Sequence, residues 1–239
     1  LKVFAALGVH GTSAITCLTA QNPQEVRAIQ AAQPRLVRDQ IAAVFDAFRP
    51  AAVKTGMLYD AAIVRVVADA LRARPRVPLV VDPVMVSTSG AQLLRASAVR
   101  ALREQLLPRA TLLTPNLDEA ALLLGRRLSS VEDLRAAARA LRHHLGCAVL
   151  VKGGHLRGLR EAVDVFFDGR EELLLEAPFA RGVSTHGTGC AYSAAIAAFL
   201  GRGQRLPKAV ALAKEYVTQA IHQSRRTLRH PVLHFFWRR

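Results

Sequence analysis

A glycine-rich turn near the end of the chain carries the clearest chemical signal in the sequence. The turn consists of Thr185, His186, Gly187, Thr188, Gly189 and Cys190. Its two glycines leave backbone N–H groups unblocked, and the small, apolar helix predicted over 191–200 adds partial positive charge at its N-terminus. Such a turn can hold a phosphoryl group in transit. An ordinary glycine-rich turn before a helix has the same pattern, and no Gly-Lys-Ser/Thr follows, so this is not a Walker loop.

Further polar residues come directly after short apolar runs, which are typical of strands buried on both faces. The runs span residues 13–18, 51–53, 77–81, 110–113 and 147–151. The polar or glycine-containing segments that follow them begin at Thr19, Lys54, Asp82, Asn116 and Lys152, and they include Gln21, Asn22 and Met57. Ligands bind at the carboxyl ends of the strands in open α/β sheets. We therefore expect these segments to form one rim with a binding site.

Helical patterns alternate with these runs and predict how the rim is held. Apolar residues recur at helical spacing in 36–48, in 60–71, where Asp60 is a candidate N-cap, and in 131–145, where Ser129 and Glu132 form a candidate capping box. Alternating strands and helices indicate a mostly parallel sheet with helices on both sides. Segments 163–167 and 172–176, joined by Asp-Gly, predict an antiparallel hairpin at one sheet edge. We predict one α/β/α three-layer domain over residues 1–239.

Composition narrows the class of protein. The chain has 239 residues, 51% of them hydrophobic, and no apolar run long enough for a membrane span. Three widely spaced cysteines without metal-like spacing favour a reducing cytoplasm. The formal net charge of +15 raises the possibility of nucleic-acid binding. The arginines are scattered and aromatic residues make up only 5%, so stacking platforms for bases are scarce, and we expect no nucleic-acid partner.

Several motifs together resemble one enzyme family. His-Gly-Thr-Gly-Cys at 186–190 resembles the anion-hole signature of the ribokinase superfamily. Its final Cys, where the sugar kinases have Asp, resembles the hydroxymethylpyrimidine and phosphomethylpyrimidine kinases of thiamine biosynthesis. Other segments that resemble this family, in the same order along the chain, are 19–22, 54–58, 81–85, 114–119, 151–155 and 213–217. The resemblance covers nearly the whole chain and implies a ribokinase-like fold.

The resemblance also implies a reaction, in which ATP and Mg²⁺ are used to phosphorylate hydroxymethylpyrimidine and then its monophosphate. Cys190 is then the expected base, with Gly187, Thr188 and Gly189 around the transferred phosphate; a helix N-terminus favours the thiolate. Gln21 is expected to recognise the aminopyrimidine through hydrogen bonds, and Met57 is expected to pack on its ring. From the residues alone, a turn amide, a core methionine and a small buried cysteine are open alternatives.

The ATP and metal residues implied by the resemblance are Lys152, Thr185, Lys214 and Asn116 for ATP, and Asp82 and Glu119 for Mg²⁺. Asn116 and Glu119 also have the spacing of a capping box, and both roles are compatible. Lys214 lies at the margin of an apolar helix face, so its ammonium needs an anion or carbonyl groups nearby. A snorkelling lysine is the alternative.

The ends of the chain differ from the family pattern. Family members begin with a strand and a Gly-Ser-Asp turn, whereas residues 1–7 look like the tail of the first helix. We expect that strand and a substrate-contacting Asp to be missing and the activity of this stretch to be impaired. The tail at 230–236 resembles the family tail but lacks its usual glycines. Pyridoxal kinase and a non-catalytic pyrimidine- or nucleotide-binding homologue are the alternative functions. We expect a homodimer.

Overall fold

The computed structural model describes residues 1–85, 93–154, 156, 158–180, 186–227 and 230–237. The strands are β1 (Cys17–Gln21), β2 (Val26–Ala31), β3 (Val53–Thr55), β4 (Leu79–Val81), β5 (Leu112–Leu113), β6 (Ala148–Lys152), β7 (Glu161–Phe167), β8 (Glu172–Pro178), β9 (Arg225–Thr227) and β10 (His230–Val232). The helices are α1 (Lys2–Ala6), α2 (Pro34–Phe48), α3 (Ala61–Arg72), α4 (Ala96–Ala101), α5 (Leu117–Leu124), α6 (Val131–Leu145), α7 (Thr188–Gly201) and α8 (Leu206–His222). A π-helical turn at Leu102–Leu106 and a 3-10 turn at Leu107–Arg109 continue α4.

The central sheet has six strands in the order β3-β4-β5-β6-β7-β8. Strands β3 to β6 pair in parallel, and β7 and β8 add an antiparallel hairpin at one edge, which confirms both parts of the prediction. Asp168 closes the hairpin turn by accepting hydrogen bonds from the backbone N–H groups of Arg170 and Glu171, each at 2.8 Å. The sheet therefore has a β3 edge and a hairpin edge.

Alternation along the strands divides the core between the two faces of the sheet. Val149 and Val151 of β6 pack in one cluster with α2, α3, α5 and α6, while Leu150 packs in the other with α1, α7 and α8. Both faces are therefore covered by helices, as the continuous apolar runs of the strands require. The three-layer α/β/α architecture is confirmed. Among the described residues, no helix has both the length and the apolar character needed to cross a membrane.

The prediction for the first strand was wrong. The expected buried strand at 13–18 is instead β1, at Cys17–Gln21, and it pairs antiparallel with β2 in a separate two-stranded sheet. Its residues are mostly exposed, including Leu18. Thr19 and Gln21 therefore lie within a strand, and only Asn22 follows it. A short apolar run shows strand propensity, but it does not show which partner the strand pairs with.

Smaller corrections concern how the helices begin and which residues they bury. In α2, Leu36 and Phe48 of the expected apolar stripe are exposed, and Val37 is the fully buried residue. Helix α6 begins one residue later than expected, with Ser130 as N-cap and Asp133 completing the capping box in place of Ser129 and Glu132. The Asp60 N-cap of α3 is confirmed, since its side chain accepts hydrogen bonds from two backbone N–H groups of the first turn.

Candidate active site

A cleft of ≈ 1480 Å³ lies at the carboxyl ends of the parallel strands. It is lined by every predicted site residue that falls within the described ranges: Gln21, Met57, Asp82, Asn116, Glu119, Lys152, Gly187, Thr188, Gly189, Cys190 and Lys214. Thr185 lies outside the described residues. The cleft also continues beside β3 past Phe4 and Phe48, so the predicted residues line only part of its volume.

The glycine-rich turn forms the N-terminus of α7, as predicted. Gly187 is the N-cap and has a φ of 81°, a left-handed conformation that glycine adopts without steric cost. A Cβ atom on Gly189 would lie 3.1 Å from Nζ of Lys152, which places that ammonium against the turn. The backbone N–H groups of the helix start and a lysine side chain therefore face the same place, an arrangement suited to a phosphoryl group.

Lys152 is also paired with Asp82 beneath the turn. Lys152 Nζ donates to Asp82 Oδ1 at 3.2 Å, and Ser193 Oγ donates to Asp82 Oδ2 at 3.0 Å. Burial alone would raise the pKa of Asp82, but the charges of Lys152 and Lys54 and these hydrogen bonds bring it below its ordinary value. Burial would lower the pKa of Lys152, and the charges of Asp82 and Glu119 raise it. Both groups are therefore ionised at neutral pH.

Ser193 is a site residue that the sequence reasoning missed. It is fully buried on α7, one helical turn beyond Cys190, and it is the α7 side chain that hydrogen-bonds Asp82. Residues three apart lie on the same side of a helix. The spacing of Ser193 from Cys190 was therefore a signal that it points toward the same strands.

Asn116 and Glu119 form the capping box that was the alternative interpretation. Asn116 Oδ1 accepts from the backbone N–H of Glu119 at 2.9 Å, and Glu119 Oε2 accepts from that of Asn116 at 2.8 Å. Glu119 Oε1 accepts from the backbone N–H of Met85 at 3.0 Å. Burial raises the pKa of Glu119 above its ordinary value, although the charge of Lys152 opposes this. Both oxygens of this carboxylate therefore already have backbone partners.

The carboxylates at this place fit a cation that brings other ligands with it. Within the described ranges, no group of three or more His, Cys, Asp or Glu side chains could hold a metal ion by itself. Mg²⁺ usually keeps several waters and takes one or two carboxylates together with substrate phosphates. Asp82 and Glu119, which are close enough for the charge of Asp82 to raise the pKa of Glu119, match that donor set.

The Cys190 thiol differs from the expectation for a helix N-terminus. Cys190 is open to the cleft, yet the surrounding protein displaces enough water to raise the pKa of its thiol. The charges of Lys54 and Lys152 act in the opposite direction, and those of Asp82 and Glu119 add to the rise. In this structure the thiol form is therefore favoured at neutral pH, because desolvation outweighs the nearby positive charges.

Gln21 and Met57 are brought to the cleft by the small sheet and by β3. Thr16 Oγ1 donates to the backbone oxygen of Met57 at 2.7 Å, which ties the approach to β1 to the segment after β3. Lys54, in β3, was not among the predicted site residues, although it belongs to the motif at 54–58. It also lines the cleft, and its charge acts on both Cys190 and Asp82.

Lys214 has the anion that its half-buried position required. Its Nζ donates to Asp164 Oδ2 at 2.7 Å and to the backbone oxygen of Ala162 at 3.1 Å. Asp164 is 5% exposed and lies in β7. The sequence reasoning missed Asp164, although a carboxylate inside the apolar run at 163–167 was a visible signal.

Comparisons with known proteins agree with this geometry. The family model described as phosphomethylpyrimidine kinase matches residues 1–232. A hydroxymethylpyrimidine/phosphomethylpyrimidine kinase of Rhizobium meliloti is 47% identical over 240 residues, which cover 98% of this chain and 90% of that protein. A protein of the same name from Streptomyces coelicolor is 48% identical and covers 92% of this chain and 81% of its own length.

Solved structures show the same fold. The phosphomethylpyrimidine kinase of Clostridium difficile superposes with a TM-score of 0.81 at 35% identity, covering 92% of this chain and 90% of its own. The pyridoxal kinase of Staphylococcus aureus in complex with AMP-PCP and pyridoxal gives 0.89 at 30% identity, covering 100% and 87%. The ribokinase-like expectation is confirmed. With a family model that spans nearly all of it and relatives at almost half identity, the chain belongs to the phosphomethylpyrimidine kinase family.

Proposed function

We propose that this protein transfers the γ-phosphoryl group of ATP to the hydroxymethyl oxygen of hydroxymethylpyrimidine, and then a second one to the monophosphate. The observation that carries the proposal is one cleft in which the α7 turn, Lys152 and Cys190 meet Gln21 and Met57. The relatives named above carry the same activity in their names, and a similar structure holds AMP-PCP, an analogue of ATP.

In the first transfer, Cys190 acts as the base. In its deprotonated form, the Cys190 sulfur takes the proton of the substrate hydroxyl as that oxygen forms a bond to the γ-phosphorus. The bond from the γ-phosphorus to the bridging oxygen breaks, and ADP leaves with the electron pair. The N–H groups around Gly187 and Gly189 and the ammonium of Lys152 stabilise the charge on the transferred group. In the second transfer the acceptor is a phosphate oxygen, which is already negatively charged, so the need for a base is smaller.

The remaining predicted residues supply binding. Gln21 can donate and accept hydrogen bonds at once, which suits a ring nitrogen beside an exocyclic amine. Met57 supplies a polarisable thioether for the ring face. Lys152, Asn116 and Lys214 bind ATP, and Thr185 has the same proposed role. Asp82 and Glu119 would hold Mg²⁺ partly through water, and the ion supplies neutralisation of phosphate charge when it is bound.

The test compares three acceptors with the purified chain: hydroxymethylpyrimidine, its monophosphate and pyridoxal, each with ATP and Mg²⁺. ADP release identifies transfer. We expect kcat/KM for the pyrimidines to exceed that for pyridoxal. In the Gln21→Ala variant we expect KM for the pyrimidine to rise at least about tenfold, the loss of one or two hydrogen bonds to a polar ligand. KM for ATP should not change.

Two results would overturn the proposal. Efficient turnover of pyridoxal with none of the pyrimidines would favour the second candidate, a pyridoxal kinase. That candidate is supported by the TM-score of 0.89 to a pyridoxal kinase, and both acceptors are flat nitrogen heterocycles with a hydroxymethyl arm. Nucleotide binding without transfer to any of the three acceptors would favour the non-catalytic homologue. A homodimer and a cytoplasmic location remain our predictions, and light scattering tests the first.

A further inference from the structure

The order of the strands indicates which end of the cleft receives the nucleotide. In phosphoryl transfer the attacking and leaving oxygens lie roughly in line on opposite sides of the phosphorus. The proposed acceptor residue Met57 follows β3 at one edge of the sheet, and the α7 turn with Lys152 lies further in. The donor must then extend from the turn toward the other edge, where β7, β8 and α8 form the cleft wall.

A single carboxylate connects the parts of that wall. Asp164 Oδ1 accepts from the backbone N–H of Gly153 at 3.0 Å, and Oδ2 accepts from Lys214 Nζ at 2.7 Å. Gly153 directly follows Lys152, whereas Lys214 comes from helix α8. Asp164 therefore joins the end of β6 to α8 across β7, and both Asp164 and Lys214 line the cleft.

The Gly153 end of this connection has little freedom to move. A Cβ atom at Gly153 would overlap the backbone oxygen of Val163 and the side chain of Leu134, so the loop after β6 lies directly on β7. The backbone N–H of Lys152 also donates a hydrogen bond to the backbone oxygen of Pro115 at 2.9 Å. The backbone of Lys152 is therefore held in place on β6, and Asp164 holds the next residue, Gly153, through its N–H group.

The Lys214 end depends on Asp164 more strongly. The side chains of Lys214 and Asp164 are 13% and 7% exposed, so each charge needs the other. Apart from Asp164, the described partner of the ammonium is the backbone oxygen of Ala162 at 3.1 Å. Without the carboxylate, a charged lysine in this wall would turn toward open water, because an unpaired buried charge is costly.

We propose that Asp164 is a positioning residue for the nucleotide: it fixes Lys214 on α8 and the backbone beside Lys152 at the spacing that the ATP phosphates require. The inference rests on the proposed kinase function. In this proposal Asp164 acts only through Lys214 and Gly153 and makes no contact with ATP itself.

The test compares Asp164→Asn with Asp168→Asn. Asparagine at 164 keeps the shape and can still accept from Gly153, but it removes the charge opposite Lys214. Asp168 is the matched control, because it is an acceptor of backbone N–H groups in the same hairpin and does not line the cleft. Dissociation constants for AMP-PCP with Mg²⁺ are measured by calorimetry, which needs no turnover. The KM values for ATP and for the pyrimidine are measured separately.

We expect D164N to weaken AMP-PCP binding and raise KM for ATP about tenfold, as loss of a charged hydrogen bond does. KM for the pyrimidine should stay within about twofold of its original value. D168N should lower thermal stability without changing either constant. If D164N binds AMP-PCP as the wild type does, or raises both KM values equally, Asp164 has only a structural role. If the wild type binds AMP-PCP but phosphorylates no pyrimidine, the proposed function fails while the binding comparison still tests Asp164.

The single variant leaves an ammonium unpaired and can fail to fold. The D164N/K214M pair removes both charges, which is better tolerated in a buried site. Since the proposal has Asp164 and Lys214 acting together, this variant should also bind AMP-PCP about tenfold more weakly. Unchanged affinity in the double variant would overturn the proposal as clearly as unchanged affinity in D164N.

Discussion

At the scale of single residues, the protonation state of each functional group in the cleft depends on two opposing effects. Burial favours the neutral form, and nearby opposite charges favour the charged form. Asp82 and Lys152 remain charged because each has the other, whereas desolvation of Cys190 outweighs the charges of Lys54 and Lys152 and raises the pKa of its thiol. A thiol with a raised pKa still serves phosphoryl transfer, which depends mainly on positioning and on charge stabilisation. The raised pKa of Cys190 should be visible in the pH dependence of kcat/KM.

The pH profile should identify Cys190 as the base. The base must be deprotonated to act, so a raised pKa means that kcat/KM for hydroxymethylpyrimidine keeps rising as pH increases above neutral. Cys190→Ala should lose about 100-fold in kcat and should lose that rise. The measurement is the rate from about pH 6 to about pH 10.

Cys17→Ala is the control for that profile. Cys17 is the other described thiol that lines the cleft, and burial also raises its pKa. We expect its replacement to leave the profile unchanged. If C190A keeps the profile of the wild type, another group is the base. If C17A loses the rise, the assignment of the titration to Cys190 is wrong.

At the scale of elements, the start of α7 shows two glycines that are required for different reasons. Gly187 supplies the left-handed N-cap, whereas Gly189 lies inside the first helical turn and leaves room for the Lys152 ammonium. Both glycines belong to the same motif at 185–190, and the sequence does not distinguish their roles. The backbone conformation of Gly187 and the Lys152 side chain beside Gly189 do.

Alanine substitutions at the two glycines should therefore change different quantities: stability at position 187 and kcat at position 189. Gly187→Ala should lower the stability of the fold by about 1 to 2 kcal/mol, the cost of a left-handed alanine. Gly189→Ala should leave stability equal or higher, because alanine favours a helix by up to about 1 kcal/mol. Its Cβ would lie 3.1 Å from Lys152 Nζ and would shift that ammonium by a few tenths of an ångström, so kcat should fall. Denaturant unfolding and steady-state rates measure the two effects. A G189A variant with full kcat would show that the exact position of the Lys152 ammonium beside Gly189 does not limit the rate.

At the scale of the whole molecule, the net charge of +15 is not gathered into a nucleic-acid surface by any pattern in the sequence. A field of this sign still attracts anions such as ATP over distances comparable with the Debye length. It should have little effect on hydroxymethylpyrimidine, which carries no net charge near neutral pH.

The salt dependence should therefore differ between the two substrates. Between about 50 mM and about 300 mM salt, KM for ATP should rise about threefold, while KM for hydroxymethylpyrimidine stays constant. Duplex DNA should not bind at about 150 mM salt. Equal changes in both KM values would show that salt acts on the fold and not on steering. DNA binding at that salt concentration would contradict the expected absence of a nucleic-acid partner.

The sequence by itself determined the sheet, the hairpin edge and most of the cleft. Short apolar runs and helical spacing are local features, so the sequence alone predicted the four parallel strands β3 to β6 and the turn at 185–190 in their order along the chain. The family resemblance then supplied roles for Gln21, Met57, Asp82 and Cys190, and the structure brings all four to one cleft.

Only the tertiary structure decided the pairings between distant segments. Strand propensity at 13–18 did not reveal that β1 pairs with β2 outside the main sheet. The partners of Asp82 and Lys214 come from positions 70, 111 and 50 residues away along the chain. The sign of the shift in the Cys190 pKa depends on how much water the folded protein displaces, which no local pattern records.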